Sequence, residues 1–374
     1  MARITATALL AGLVATAAAR QCQNLTIPIN TSARNGVFNY AAPETNIDVT
    51  DFILNLVQPG HNLTAELLHD YATISGNYKI AATYCEPDAG PGNTLQVLTH
   101  GIGFDRSYWD FPANNYNYSY VNQALDRGYS TFAYDRLGIG ESSHGDPVNE
   151  IQSWLEVSAL KTLTTMLRET TVPDISTKFS KIVHVGHSFG SIQSYGLVAQ
   201  DPAISDGIVL TGFSQNSTFV PLFALGGNFI QANKVAALSD YPNGYLAVGD
   251  ESAVQTNFLA PGDFDPAILE AAYKTGQPVT VGELLTITGP ASVLNPFQGP
   301  VLVVTGDRDI PFCGGNCTVS EPSIPAMAKQ FFPKASCFEA FDVPESGHGL
   351  NLEYTWPTTY KTILDFLDKN VNMK

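Results

Sequence analysis

The chain has 374 residues, 44% of them hydrophobic and 14% charged, which fits a globular protein with a sizeable core and excludes a disordered one. Lys plus Arg number 19 against 35 Asp plus Glu, a net charge of −16, which argues against nucleic acid or an anionic membrane surface as a partner. The length suits one large α/β domain with an insertion, or two small domains.

Met1 to Ala19 reads as a secretory signal. Arg3 gives a positive start, Leu9, Leu10 and Leu13 an apolar centre, and Ala17-Ala18-Ala19 a cleavage site. The apolar run is too short for a membrane span, no other stretch reaches that length, and the expected location is extracellular. Sequons at Asn24, Asn30, Asn62, Asn117, Asn216 and Asn316 fit a secreted glycoprotein. The cysteines are Cys22, Cys85, Cys313, Cys317 and Cys337. In an oxidising compartment four pair and one is left over. Cys22 with Cys85 would tie the N-terminal arm to the first hairpin. Cys313 and Cys317 enclose only Gly-Gly-Asn and can close on each other, with Cys337 as the competing partner, so the pairing stays open. Neither a second Cys pair of metal-binding spacing nor a nearby His pair accompanies them, so no metal or cofactor is expected.

Residues 21–50 are polar, with prolines and sequons, and read as an extended arm. Phe52–Val57 reads as a first strand. His69–Pro87 alternates around Ser75-Gly-Asn77, which predicts a hairpin. Leu95–Thr99 is a short strand of buried type that runs into His100-Gly-Ile-Gly-Phe104. A Gly-rich turn at a strand's carboxyl end lets backbone N–H groups face a ligand, and the Ile102 N–H is the candidate. Tyr129–Tyr134 is the next strand, followed by Asp135-Arg-Leu-Gly-Ile-Gly-Glu-Ser142. That loop lacks the third glycine of a dinucleotide fingerprint. A helix is expected over 154–168, with Leu155, Leu160, Leu163 and Leu167 on one side.

Lys181-Ile-Val-His-Val-Gly-His-Ser-Phe-Gly-Ser-Ile-Gln193 reads as strand, sharp turn and helix start. Ser188 sits at the tip between Gly186 and Gly190, the Gly-x-Ser-x-Gly pattern of a nucleophile elbow. Such a turn lifts the serine hydroxyl above the sheet edge, and the flanking residues must be small because strand and helix nearly touch. The Phe189 N–H, just after the serine, is the second donor for a developing oxyanion. His184 reads as structural, and His187 as structural beside the nucleophile.

Gly207–Thr211 is a further strand. From Phe213 to Gln298 the rhythm changes to aromatic and aliphatic clusters with helical pieces such as 266–275. A crossover that long is not one loop, and it reads as a mostly helical lid over the strand ends. Pro300–Thr305 is another parallel strand, followed by Gly306-Asp-Arg-Asp309. Residues 326–332 suit a helix and Cys337–Val343 a last strand, followed by Pro344-Glu-Ser-Gly-His-Gly-Leu350. Tyr354–Val371 suits a closing helix. The alternation implies a mainly parallel sheet covered on both faces.

From about Leu95 to its C-terminus the chain resembles the α/β-hydrolase fold. The matching residues are His100-Gly101, Asp135–Ser142, Gly186-His-Ser-Phe-Gly190, Gly306-Asp-Arg-Asp309 and Ser346-Gly-His-Gly-Leu350. The order nucleophile, acid, histidine is that family's order. The resemblance implies Ser188 as nucleophile, His348 as base and, from the family's G-x-x-D spacing, Asp309 rather than Asp307 as the acid. Signal, sequons and cysteines look like a secreted fungal member.

The implied organisation is a signal over 1–19, a core in two parts over 20–212 and 299–374, and a lid over 213–298. The implied activity is a serine hydrolase that cleaves a carboxylic ester, lactone or thioester of a small to medium apolar substrate. A serine at the elbow points away from epoxide hydrolases and haloalkane dehalogenases, which use aspartate there. The alternatives are a biosynthetic acyltransferase, thioesterase, cyclase or lyase on the same triad, and a silent binding protein of the same fold.

Overall fold

The computed structural model describes residues 20–372. The expected signal segment, 1–19, lies outside the described residues. The strands in chain order begin with β1 (Gln21–Phe38), β2 (Leu68–Glu86), β3 (Thr94–Thr99), β4 (Ser130–Tyr134), β5 (Lys181–His187) and β6 (Ile208–Thr211). Next come three short strands, β7 (Ile230–Gln231), β8 (Tyr245–Ala247) and β9 (Val279–Thr280), and finally β10 (Pro300–Gly306) and β11 (Cys337–Val343). The main sheet has eight strands in the order β1-β2-β4-β3-β5-β6-β10-β11. From β4 to β11 every neighbouring pair is parallel, and β1 and β2 join antiparallel at one edge.

Every residue of β3, β4, β6 and β10 is buried. Side chains alternate between the two faces of a strand, so both faces are covered, which is why these strands read as continuous apolar runs. The strand order reverses at β3: the chain goes to β4 on one side, then crosses to β5 on the other. In such sheets the crevice beyond the strand ends at the reversal point is where ligands bind. Here the ends meeting at that point are His100-Gly101 and His187-Ser188, because Thr99 pairs with Gly186.

The N-terminal third departs from expectation. Residues 21–38 are extended as expected, yet they are not an arm but a strand paired along its whole length with β2. Ser75-Gly76-Asn77 makes no turn: these residues pair with Ser32, Thr31 and Asn30, and β2 runs through them without a break. A turn there would strip β1 of the partners for its backbone donors and acceptors. The disulfide Cys22–Cys85 joins directly opposed residues of this ribbon. Phe52–Val57 is not a strand but lies in and just beyond a helix, Asn46–Leu56. Thr45 and Asp48 form a capping box at its start, and Val49, Phe52 and Ile53 bury one face at helical spacing. Residues 326–331 are a tighter 3₁₀ helix rather than an α-helix.

Between β6 and β10 the chain forms helices Val220–Gly226, Glu251–Phe258, Pro266–Lys274 and Val281–Thr286 around the small antiparallel sheet β7-β8-β9. Residues near the N-terminus brace this segment. Gln231 N–H donates to Asn46 Oδ1 at 3.0 Å, and the Thr64 hydroxyl donates to the Leu285 carbonyl at 2.8 Å. The second disulfide is Cys313–Cys317, and Cys337 is free.

Candidate active site

The elbow forms because two glycines allow it. A Cβ on Gly186 would lie 2.4 Å from the Gly190 carbonyl oxygen, and one on Gly190 would lie 2.2 Å from the Thr99 oxygen. Strand, turn and helix therefore touch through bare backbone. Ser188 sits at φ 54°, ψ −119°, a strained conformation for a residue with a side chain. Its N–H donates to the Thr211 carbonyl at 2.9 Å, and the Ser191 hydroxyl bonds the Gly186 and Thr211 carbonyls.

The three residues singled out at the strand ends come together. The Ser188 hydroxyl lies 2.8 Å from His348 Nε2, and His348 Nδ1 lies 2.6 Å from Asp309 Oδ2. A carboxylate only accepts, so Nδ1 carries the proton and Nε2 is the free acceptor facing the hydroxyl. Asp309 Oδ1 accepts the Phe312 N–H at 2.8 Å, so the short helix Ile310–Cys313 fixes the carboxylate. Asp307 makes no bond to His348; its carbonyl accepts the Cys317 N–H, and its side chain lies 3.7 Å from Arg308. Ser188 is 7% exposed, His348 1% and Asp309 0%. The group is thus nearly sealed, which strengthens every electrostatic contact within it.

Gly101 packs against the nucleophile: a Cβ there would lie 2.8 Å from Ser188 Cβ. The next N–H, of Ile102, and the N–H of Phe189 find no acceptor among the described residues. His100 holds this turn. Its Nδ1–H donates to the Gly101 carbonyl at 2.9 Å, and its Nε2 accepts the Arg136 N–H at 3.0 Å. Burial, then the Arg136 charge, push its pKa well below the usual histidine value, so both bonds are made by the neutral ring.

His187 is more than a neighbour of the serine. Its Nε2–H donates to the His348 carbonyl at 2.9 Å, and its ring stacks on Tyr108 with centroids 4.2 Å apart. Burial keeps it neutral. His184 is structural, held between Thr164 and Ser205, with burial lowering its pKa to about 3.

Two features escaped sequence reasoning. Arg136 bonds both Glu156 and Glu283, all three buried, while Gln193 donates to Glu156 at 2.9 Å. The Arg136 guanidinium lies 4.8 Å over the Phe189 ring, so this group borders the elbow. The buried Glu353 carboxylate accepts from the Ser346 hydroxyl, Gly347 N–H and Ala260 N–H, tying the histidine loop to residues 258–263. Burial pushes its pKa up to about 8. The partners lie far apart in the chain, and only Arg136, inside the Asp135–Ser142 motif, carried a local signal.

Chemically, such a chain can take the serine proton onto His348 as Oγ attacks a carbonyl, with two N–H groups free to receive the oxygen. Among the described residues no group of three or more His, Cys, Asp or Glu side chains is placed to hold a metal, and no helix is long and apolar enough to cross a membrane.

Fold and elbow together define an α/β hydrolase. The model of the alpha/beta hydrolase family matches residues 96–355, and the chain belongs to that family. Solved structures of similar fold include a thermophilic esterase from Thermogutta terrifontis, 17% identical with a TM-score of 0.53, the match covering 79% of this chain and 94% of that one. An enol-lactonase from Burkholderia xenovorans is 16% identical with a TM-score of 0.51, covering 78% and 97%. Epoxide Hydrolase A from Mycobacterium thermoresistibile is 14% identical with a TM-score of 0.50, covering 78% and 95%. A search of curated proteins finds no match.

Proposed function

We propose that the chain is a secreted serine hydrolase that cleaves a carboxylic ester, lactone or thioester of a small to medium apolar substrate through an acyl-enzyme. The observation that carries this reading is the unbroken chain from Ser188 Oγ through His348 to Asp309, at 2.8 and 2.6 Å. Ser188 is the nucleophile, His348 the base and then the acid toward the leaving group, and Asp309 the group that orients the ring and stabilises its cation. The N–H groups of Ile102 and Phe189 form the oxyanion hole. Residues 213–298 act as the cap, with 20–212 and 299–374 as the core. Serine at the elbow supports ester chemistry over epoxide opening, which in this fold resembles an aspartate mechanism.

Secretion is supported by the two disulfides and by the sequons. Five of the six sequon asparagines are exposed and Asn216 is half-buried, so a glycan has access to each. A panel of aryl and alkyl esters tests the reaction: the wild-type protein should turn over esters of short to medium chain, and no turnover of any ester sinks the reading. Acyl transfer to an alcohol or amine on the same triad is the alternative reading. Product analysis with and without an added alcohol or amine separates transfer from hydrolysis.

A further inference from the structure

The two disulfides differ in what closing them does for the chain. Cys22–Cys85 joins positions 63 apart in sequence, and Cys313–Cys317 positions only 4 apart. A cross-link stabilises mainly by restricting the unfolded chain, and more so the longer the loop it closes. The long bridge therefore serves the stability of the fold. The short one does little in that respect, yet both of its cysteines are buried, at 3% and 0% exposure, in a small cluster with Ile324 and Phe219.

Its place in the fold is beside Asp309. That residue opens the helix Ile310–Cys313; its Oδ1 accepts the Phe312 N–H at 2.8 Å, while its Oδ2 meets His348 Nδ1 at 2.6 Å. A helix of four residues is a single turn and does not hold itself, because nucleation costs more than one turn returns. What holds this one is a ring closed by the disulfide. Cys313 follows Phe312 directly. The chain then reverses through Gly314 and Gly315, at φ 66° and 87°, and a Cβ on Gly314 would lie 2.6 Å from the Phe219 ring. Gly315 N–H donates to the Asp309 carbonyl at 2.8 Å, and Cys317 N–H to the Asp307 carbonyl at 2.9 Å. The S–S bond joins the last residue of the helix to Cys317, so residues 307–317 form a closed ring that contains both Asp309 and the N–H that aims its carboxylate.

We propose that the Cys313–Cys317 disulfide is a positioning element of the reaction: it fixes the Phe312 N–H, and through it the Asp309 carboxylate, against His348 Nδ1. The bridge acts only through Asp309. Without it the single turn frays from its C-terminal end, Phe312 N–H drifts, and the carboxylate is left to rotate away from the imidazole. A drift of about 1 Å in a group that must be oriented costs on the order of 10²-fold in rate. The proposal rests on the reading of Ser188, His348 and Asp309 as a hydrolytic triad.

The test compares Cys313→Ala/Cys317→Ala and Cys22→Ala/Cys85→Ala with wild type by two readouts. One is kcat and KM on an aryl ester. The other is the far-downfield proton NMR resonance of His348 Nδ1–H in its bond to Asp309, assigned by its loss in His348→Gln. Removing the short bridge should cut kcat roughly 10- to 100-fold with KM held, and shift or erase the resonance. Removing the long bridge should lower the melting temperature more, and leave kcat and the resonance as in wild type. Cys313→Ser/Cys317→Ser, which nearly keeps the side-chain volume, should behave as the alanine pair does, which separates loss of the bond from loss of packing. An unchanged kcat and resonance without the short bridge, or an equal loss of kcat without the long one, would overturn the proposal. So would short-bridge variants that no longer melt cooperatively in either form, since the bridge would then be holding the fold. Failure of the hydrolase reading looks different: the resonance is present in wild type and disturbed without the short bridge, but no ester is turned over.

Discussion

Two buried charged groups meet at the elbow, and they are built differently. Asp309 and His348 form a linear chain in which each polar atom has one partner of matching role, ending on the Ser188 hydroxyl. Arg136, Glu156, Glu283 and Gln193 form a cluster with two carboxylates on one guanidinium, and several of its atoms, including Arg136 Nε and Glu156 Oε1, have no partner. Burial raises the Glu156 pKa well above the usual range, against the opposing pull of the Arg136 charge. The first arrangement suits proton transfer along a fixed line. The second suits anchoring: it joins the loop after β4, the helix Ser153–Glu169, the elbow helix and the helix Val281–Thr286 of the segment between β6 and β10.

If this contrast holds, changes in the chain remove activity with the fold intact, and changes in the cluster remove stability. The largest expected effect is Ser188→Ala: turnover falls by several orders of magnitude, with roughly 10³–10⁴-fold over water surviving from the oxyanion donors. Circular dichroism and melting temperature should match wild type. Next is Asp309→Asn, expected to cost ~10³–10⁴-fold in kcat because an amide no longer fixes the ring's tautomer, while Asp307→Asn stays within about tenfold. Equal losses in steady-state kinetics would show that the wrong acid has been assigned.

In the cluster, Arg136→Met strands two buried carboxyls and should cost roughly 3–5 kcal/mol in denaturant titration. Glu283→Gln leaves one carboxylate on one guanidinium and should cost clearly less; the reverse ranking would deny Arg136 its anchoring role. The smallest effect concerns Glu353, whose folded pKa of about 8 lies above the ordinary 4.5. A carboxyl whose pKa is raised by folding contributes stability that is full below 4.5 and lost as pH rises through about 8. Glu353→Gln does not ionise, so its melting temperature relative to wild type should climb across that window. A difference that stays flat with pH would contradict the burial argument.

The chain Ser188–His348–Asp309 was readable because each member sits in a short local pattern: glycines at the elbow, Gly306-x-x-Asp309 after a strand, and a glycine-flanked His348. The central strands were readable for the same reason, since strands buried on both faces are apolar throughout. The anchoring cluster was not, because Arg136, Glu156 and Glu283 are ordinary charged residues whose meaning lies in meeting one another across the fold. The β1–β2 ribbon misled in the opposite way. Ser75-Gly-Asn77 is a genuine turn signal, overridden by an antiparallel partner strand more than forty residues upstream that pairs with it throughout. For Phe52–Val57 the information was present: Thr45-x-x-Asp48 is a helix-start signature, and the apolar run after it was too short for its period alone to decide.

The most direct test of the central claim is peptide mass spectrometry of the folded wild-type protein after treatment with a small fluorophosphonate. An activated serine predicts one adduct per chain, on the peptide that contains Ser188, and much slower labelling in His348→Ala. An adduct on another residue, or an unlabelled Ser188 in protein that melts cooperatively, would contradict the assignment of Ser188 as the nucleophile.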